Sequence, residues 1–289
     1  MIIYWLIFAL FAIPSLLMMN LKKQSHKIIW FFFVLLLVFL VGFRHEVGGD
    51  WFNYLSSYES LSSSLITTLM KGDLAYQLLS YIFFNLDLSI HWVNLFCAII
   101  AVYGLVYFAQ KQPLPWLALL ISIPFLVIVS YMGYTRQSAA MGLAMIAIVF
   151  LVKGNFRKYI IFIILAFLFH KTALILLPFT FIIPSRNKWS IVFAVIMFSG
   201  ILFFLVIAAR FEAMWSNYVT SETIHSEGGL IRVLMNALPA IFFLIFKNKF
   251  TDSKYEKKFW TAFSWISLLM LVLISFASTV VDRLALYFI

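Results

Sequence analysis

The sequence predicts an all-α fold, a polytopic transmembrane helical bundle, and three observations carry the prediction. Of 289 residues, 64% are hydrophobic and only 11% are charged, with a mean hydropathy of +1.03; a soluble domain carries about 25% charged residues, and a water-soluble fold could not cover this much apolar surface. The apolar residues gather in runs close to the ~20 residues that cross ~30 Å of hydrocarbon. Lysines and arginines fall in short clusters between those runs, as loops retained on one side of a membrane do. Barrel-like alternation is lacking. The expected location is therefore the bacterial inner (cytoplasmic) membrane, with residues 1–289 forming a single integral membrane domain.

Spans are expected near 2–19, 28–43, 91–109, 116–132, 136–152, 190–209, 230–246 and 259–276. Met1 runs straight into IIYWLIFALFAIPSLLMM with no basic leader and no small-residue cleavage site, so the first span is expected to be retained. Cys97 is the one cysteine; no intramolecular disulfide is possible, and it reads as a small residue of the core or lipid face. Two stretches depart from the spanning template. Residues 74–88 (LAYQLLSYIFFNLDL) are short and interrupted by Gln77, Asn85 and Asp87, which suits an outer helix lying at the interface. Residues 159–183 form an apolar run with His170 and Lys171 at its centre.

Basic loops are retained in the cytoplasm, so 20–27, 153–158 and 247–258 are inner loops and the N-terminus faces outward. A single crossing by 159–183 would place the five lysines of 247–258 outside. The run is therefore expected to break at His170–Lys171 and return as a re-entrant hairpin, a backbone tolerated at membrane depth only where protein or a watered cavity surrounds it. On this topology the inner loops, 110–115 and 184–189 included with the three above, hold fourteen of the 21 basic residues, twelve of them lysine. The remaining basic residues are Arg44, Arg136, Arg210, Arg232 and Arg283 with Lys71 and Lys171. Topology explains the inner lysines but works against outer arginines, whose planar five-donor fork suits phosphate and pyrophosphate.

The densest polar segment is Arg44–Tyr54 (RHEVGGDWFNY). Gly48–Gly49 permit a tight turn, and Asp50 stands where an N-cap would start the next helix. Arg44 is a candidate to hold an anion, and Glu46 or Asp50 to handle a proton; the structural alternative is a capping Asp50 and a snorkelling Arg44. Arg136–Gln137 open a span at its N-terminal, outer end, where the helix dipole already favours an anion. Ser138, Ala139, Ala140, Gly142, Ala144 and Ala147 make that helix narrow enough for close packing. His170 and Lys171 are costly in lipid, so a buried functional or paired role is the default for them, and histidine suits proton transfer near neutrality. The outer loop 210–229 offers Arg210, Glu212, Glu222, His225 and Glu227, with Arg232 just beyond, and its aromatics are either sugar platforms or interfacial belt residues. Asp282–Arg283 are either a local ion pair or part of the anion site. No phosphate loop, HExxH, zinc-spaced Cys/His cluster or dinucleotide fingerprint is present; no metal, cofactor or nucleic-acid partner is expected.

The order of motifs resembles a known family. VGFRHEVGGDWFNY (41–54), YTRQSAAMGLA (134–144), LAFLFHKTALILLP (165–178) and VVDRLALYF (280–288) resemble the successive signature segments of the EpsG family of Wzy-type polymerases of exopolysaccharide, capsule or O-antigen repeat units. The resemblance implies further helices beyond Ile289, so the sequence is expected to be C-terminally incomplete. It implies a glycosyltransferase acting on undecaprenyl-pyrophosphate-linked oligosaccharides at the outer face of the inner membrane, in contact with membrane lipid and with a chain-length regulator as a possible partner. On that reading Arg44, Arg136 and Arg283 clamp pyrophosphate, joined by Gln137, Lys171, Arg210 and Arg232, and the candidate bases are His170, Asp50 and Glu46. The rival readings are an O-antigen ligase or other lipid-linked sugar transferase, a flippase-like transporter, and a membrane acyltransferase. A transporter would more often show inverted repeats, and none is evident.

Overall fold

The computed structural model describes residues 2–18, 26–62, 64–182, 228–250, 253–275 and 278–289; the elements among these residues are all helices joined by turns and short loops, with no strands among them. The elements are α1 (Ile2–Met18), α2 (His26–Gly42), α3 (Trp51–Glu59), α4 (Leu65–Leu69), α5 (Leu74–Asn85), α6 (Ile90–Ala109), α7 (Pro115–Ser122) with a π-helical continuation (Ile123–Tyr131), α8 (Thr135–Val152), α9 (Phe156–Phe169), a 3-10 segment (Lys171–Ile182), α10 (Gly229–Phe250), α11 (Lys254–Leu273) and α12 (Ser278–Ala285), with a last 3-10 turn, Leu286–Phe288. Among the described residues α6, α8 and α10 are each long and apolar enough to cross a membrane, and α1, α2 and the α7–π run are shorter apolar helices. This is the helical membrane protein expected. The expected span 190–209, the inner loop 184–189 and the outer loop up to residue 227 lie outside the described residues.

Two compact units can be distinguished, residues 1–149 with 161–173 and residues 150–160 with 174–289. In the first, α2, α6 and α8 pack through their small residues. A Cβ added to Gly42 would sit 2.8 Å from the Cα of Leu95, and one added to Gly104 only 2.0 Å from the carbonyl oxygen of Gly142. The backbones of α6 and α8 therefore touch, as the small residues of α8 predicted, and Ala139, Ala140 and Ala147 are fully buried. Over this frame lies a second core in which Trp51, Tyr54 and Tyr58 of α3 and Tyr76 of α5 meet Ile90, Val93 and Cys97 of α6. It holds the short helices α3 and α5, which lack the length to be stable alone.

Three local features, two of them departures from expectation, have physical causes. The run 116–132 is α-helical only to Ser122 and π-helical from Ile123 to Tyr131, because Pro124 carries no N–H and its ring collides with the carbonyl one turn earlier; a wide i→i+5 turn accommodates both, and such turns cluster at functional sites. Asp50 occupies the N-cap position of α3, but its side chain makes no cap bond. Capping needs an extended backbone, whereas Asp50 sits at φ −92°, ψ 3°, in a turn closed by Trp51 N–H donating to the Gly48 carbonyl at 3.1 Å. The predicted break falls at His170: α9 ends at Phe169, and Ala173 N–H donates to the His170 carbonyl at 3.1 Å to start the 3-10 segment.

In the second unit α10 lies along α11, and Phe179 is packed among Phe259, Phe263 and Phe288, with ring centroids 5.1, 5.9 and 6.4 Å away. Tyr159 donates its hydroxyl to the Leu176 carbonyl. Arg232 of α10 grips Asp282 of α12, and Asn236, one turn along, donates to the Ala285 carbonyl at 2.8 Å.

Candidate functional site

The first unit brings three charged or titratable side chains from distant parts of the chain onto one atom. Asp73, the residue before α5, accepts hydrogen bonds at Oδ2 from Arg136 Nη1 and from His170 Nδ1, each at 3.2 Å. Each partner is positioned by its helix: Arg136 projects from the first turn of α8, and His170 stands where α9 ends. Asp73 has the extended backbone of an N-cap, φ −74° and ψ 122°, yet makes no cap bond; its carboxylate is given to the cluster instead. The carboxylate is 8% exposed, His170 16% and Arg136 34%, so the cluster opens on the arginine side.

The surroundings fix its electrostatics. The Arg136 guanidinium stands over the rings of Tyr54 and Tyr76, 5.2 and 5.7 Å from their centroids, an arrangement that is attractive to a cation and leaves its edge to in-plane acceptors. Burial pushes the Tyr76 phenol up, which keeps that ring neutral. For Asp73, burial alone would raise the carboxyl, but the His170 hydrogen bond and the positive fields of His170, Arg136 and Lys171 together hold it below the usual carboxylate range. Asp73 is thus an anion at neutral pH. With Nδ1–H committed to it, the lone pair of a neutral His170 is on Nε2.

The other predicted residues fall in distinct places. Arg44 is 6% exposed and turned inward; it donates to the Val41 carbonyl at 2.8 Å and to Thr135 Oγ1, which donates in turn to Asn94 Oδ1 at 3.1 Å. Thr135 opens α8 immediately before Arg136, so Arg44 braces the helix end that carries Arg136. Gln137 is buried on α8. Glu46 is 61% exposed, with His45 Nε2 3.8 Å away, and it has a left-handed backbone at φ 52°. Asp50 is half-buried at the start of α3. The carboxylate that orients the histidine is Asp73 and neither of these two. Lys171 adds positive field to Asp73. In the second unit Arg232 is bound to Asp282, and Arg283 is half-buried beside them. Arg210 lies outside the described residues. Among the described residues no group of three or more His, Cys, Asp or Glu is arranged to hold a metal ion.

The chain, a helical membrane protein, thus sets a buried carboxylate against a histidine and a half-open arginine. The EpsG family model matches residues 27–289, and the chain belongs to the EpsG family, whose members are Wzy-like polymerases. It is therefore a membrane protein of polysaccharide biosynthesis, of the Wzy-like polymerase kind. No curated protein and no solved structure matches it.

Asp73 is the member of the cluster that sequence reasoning missed. Its partners are 63 and 97 residues away, so no local spacing announces it. The available signal was elimination: His170 and Arg136 stand in apolar contexts that call for an anionic partner, and the whole chain has only eleven acidic residues to supply one.

Proposed function

We propose that this protein is a glycosyltransferase that polymerises undecaprenyl-pyrophosphate-linked oligosaccharide repeat units on the outer face of the bacterial inner membrane. The observation that carries the reading is the Asp73–His170–Arg136 cluster. His170 Nε2 takes the proton of the acceptor sugar hydroxyl as that oxygen attacks the anomeric carbon of the donor. The new carbon–oxygen bond forms as the bond to pyrophosphate breaks, and the electron pair leaves with the pyrophosphate. Asp73 holds the imidazole in the required tautomer and stabilises the imidazolium that forms, as a carboxylate does for other histidine bases. Arg136 faces the negative charge that develops on the departing pyrophosphate, in a partly buried setting where a fixed charge counts for more than it does in bulk water. Lys171 adds to the same field, and Arg44 keeps the first turn of α8 in place. The family membership, the outward arginines and the lysine-rich inner loops support the same side and the same chemistry.

The test is gel analysis of surface polysaccharide in cells lacking the gene, complemented with the wild type or with Arg136→Ala. The expected result is collapse of the ladder to single-repeat glycans, restored by the wild type and not by the variant. A normal ladder without the gene overturns the reading and favours a ligase or a transporter.

A further inference from the structure

Two of the five histidines meet away from the cluster on Asp73. His45, in the turn after α2, and His91, in the first turn of α6, are 46 positions apart in the chain, yet His45 Nδ1 lies 3.3 Å from His91 Nε2. Both rings stand against buried Trp51 of α3, with ring centroids 5.5 Å apart in each case. The pair is open to solvent on one side, the His45 side chain being 67% exposed.

The outer nitrogens govern what the inner ones present. His45 Nε2 faces the Glu46 carboxylate 3.8 Å away, and His91 Nδ1 is 3.3 Å from the Ser89 hydroxyl. Glu46 as a carboxylate only accepts, which favours the proton on His45 Nε2 and the lone pair on Nδ1. With Ser89 accepting as well, both inner nitrogens carry lone pairs within reach of one cation. With Ser89 donating, the pair is a bare N–H···N contact, for which 3.3 Å is long. The same distance matches the separation of about 3.3 Å between two nitrogens bound at ~2.0–2.1 Å to one tetrahedral ion.

The chain also gives up local stability on both sides of the pair. Ser89 has the extended backbone of an N-cap, φ −76° and ψ 163°, and heads α6, but its side chain makes no cap bond; its hydroxyl stands at His91 instead. Glu46 has a left-handed backbone at φ 52°, a region costly to a residue other than glycine, and its carboxylate stands at His45. An acceptor on the far nitrogen is what fixes the tautomer and orientation of a metal-binding imidazole.

We infer that His45 and His91 bind one divalent transition-metal ion of the Zn²⁺, Ni²⁺ or Cu²⁺ class through Nδ1 and Nε2, with water completing its coordination. Imidazole nitrogen suits those ions, whereas Mg²⁺ and Ca²⁺ take oxygen ligands. Two protein ligands make an exchangeable site that ties the turn after α2 to the start of α6. Arg44, next to His45 in that turn, braces the helix end that carries Arg136, so an ion there stiffens the support of the cluster without touching it. The inference does not depend on the polymerase reading.

The test uses the full chain, purified in detergent through a tag without histidine and stripped with EDTA. Isothermal titration with Zn²⁺ is expected to show one saturable site per chain, weakened about tenfold or more, a full decade of affinity, by His45→Gln and by His91→Gln, and not competed by Mg²⁺. His26→Gln, at the opposite end of α2, should leave it unchanged. Electron paramagnetic resonance of bound Cu²⁺ should show nitrogen splitting from two imidazoles in the wild type and from one in each variant. Should His91→Gln fail to fold, the exposed His45→Gln decides alone. The absence of saturable Zn²⁺ binding, an affinity unchanged by His45→Gln, or equal competition by Mg²⁺ overturns the inference and leaves the two histidines a hydrogen-bonded contact between the turn and α6.

Discussion

Each unit of the molecule contains an arginine–aspartate pair, and the two are built differently. In the second unit Arg232 and Asp282 meet through two parallel bonds, with Nη2 2.6 Å from Oδ2 and the Asp282 carboxylate 4% exposed. Fork meets fork, the geometry in which one charge cancels one charge. In the first unit a single oxygen of Asp73 serves both Arg136 and His170 at 3.2 Å, and the arginine is 34% exposed. The carboxylate there is outnumbered by its donors, leaving the guanidinium with hydrogen-bonding capacity that Asp73 does not use. The same residue types thus make a closed pair that fixes two helices and an open cluster that can take up an anion and a proton.

The largest expected effect falls on the open cluster. His170→Ala and Asp73→Asn should each lower the rate of polymer formation by about 10²–10⁴-fold, the range for loss of a positioned base or of what orients it, in a purified protein that remains monodisperse and melts cooperatively. Retention of the wild-type rate by Asp73→Asn would reduce Asp73 to the same structural role as Asp282. Next in size, Arg136→Lys should cost about 10²-fold despite keeping the charge, because the planar fork that reaches Asp73 while stacking on Tyr54 and Tyr76 is lost. The check is a single-turnover assay at saturating substrate.

The closed pair should answer in stability. Asp282→Asn leaves a buried guanidinium without its anion and should cost about 3–5 kcal/mol, whereas replacing both partners together, Arg232→Met with Asp282→Leu, should recover most of it. Unfolding in detergent by chemical denaturant measures both. A double variant no more stable than the single one would mean that the pair supplies something beyond charge cancellation, and the contrast between the two sites would weaken.

Legibility in the sequence follows the same division. Helices α1, α2, α6, α8 and α10 are written in runs of apolar residues, and their observed ends fall close to the expected ones. The break at His170 was legible because two polar residues in the middle of an apolar run have a high cost that only a turn or a partner relieves. The close contact of α6 with α8 was legible from the small residues of α8. By contrast, the π-helical stretch was not, since Pro124 announces a disturbance but not which turn absorbs it. Asp73 was not, since its partners are set by tertiary contact. Arg44 was legible as important but not as inward: its bonds to the Val41 carbonyl and Thr135 depend on how α2 meets α8.

The smallest expected effect concerns acid, and it tests the electrostatics of the cluster directly. The Asp73 carboxyl is held below its ordinary value because its neighbours' positive charges and the His170 bond outweigh burial. A group with a depressed folded value stabilises the protein at pH above its unfolded value, near 3.9 for aspartate, and that contribution disappears as pH falls through the folded value. The difference in melting temperature between the wild type and Asp73→Asn should therefore not shrink from pH 7 down to about 5 and should close only in stronger acid. If it closed between pH 7 and 5, burial would be winning over His170 and Arg136, Asp73 would carry a proton at working pH, and His170 would lose the anion that makes it a base.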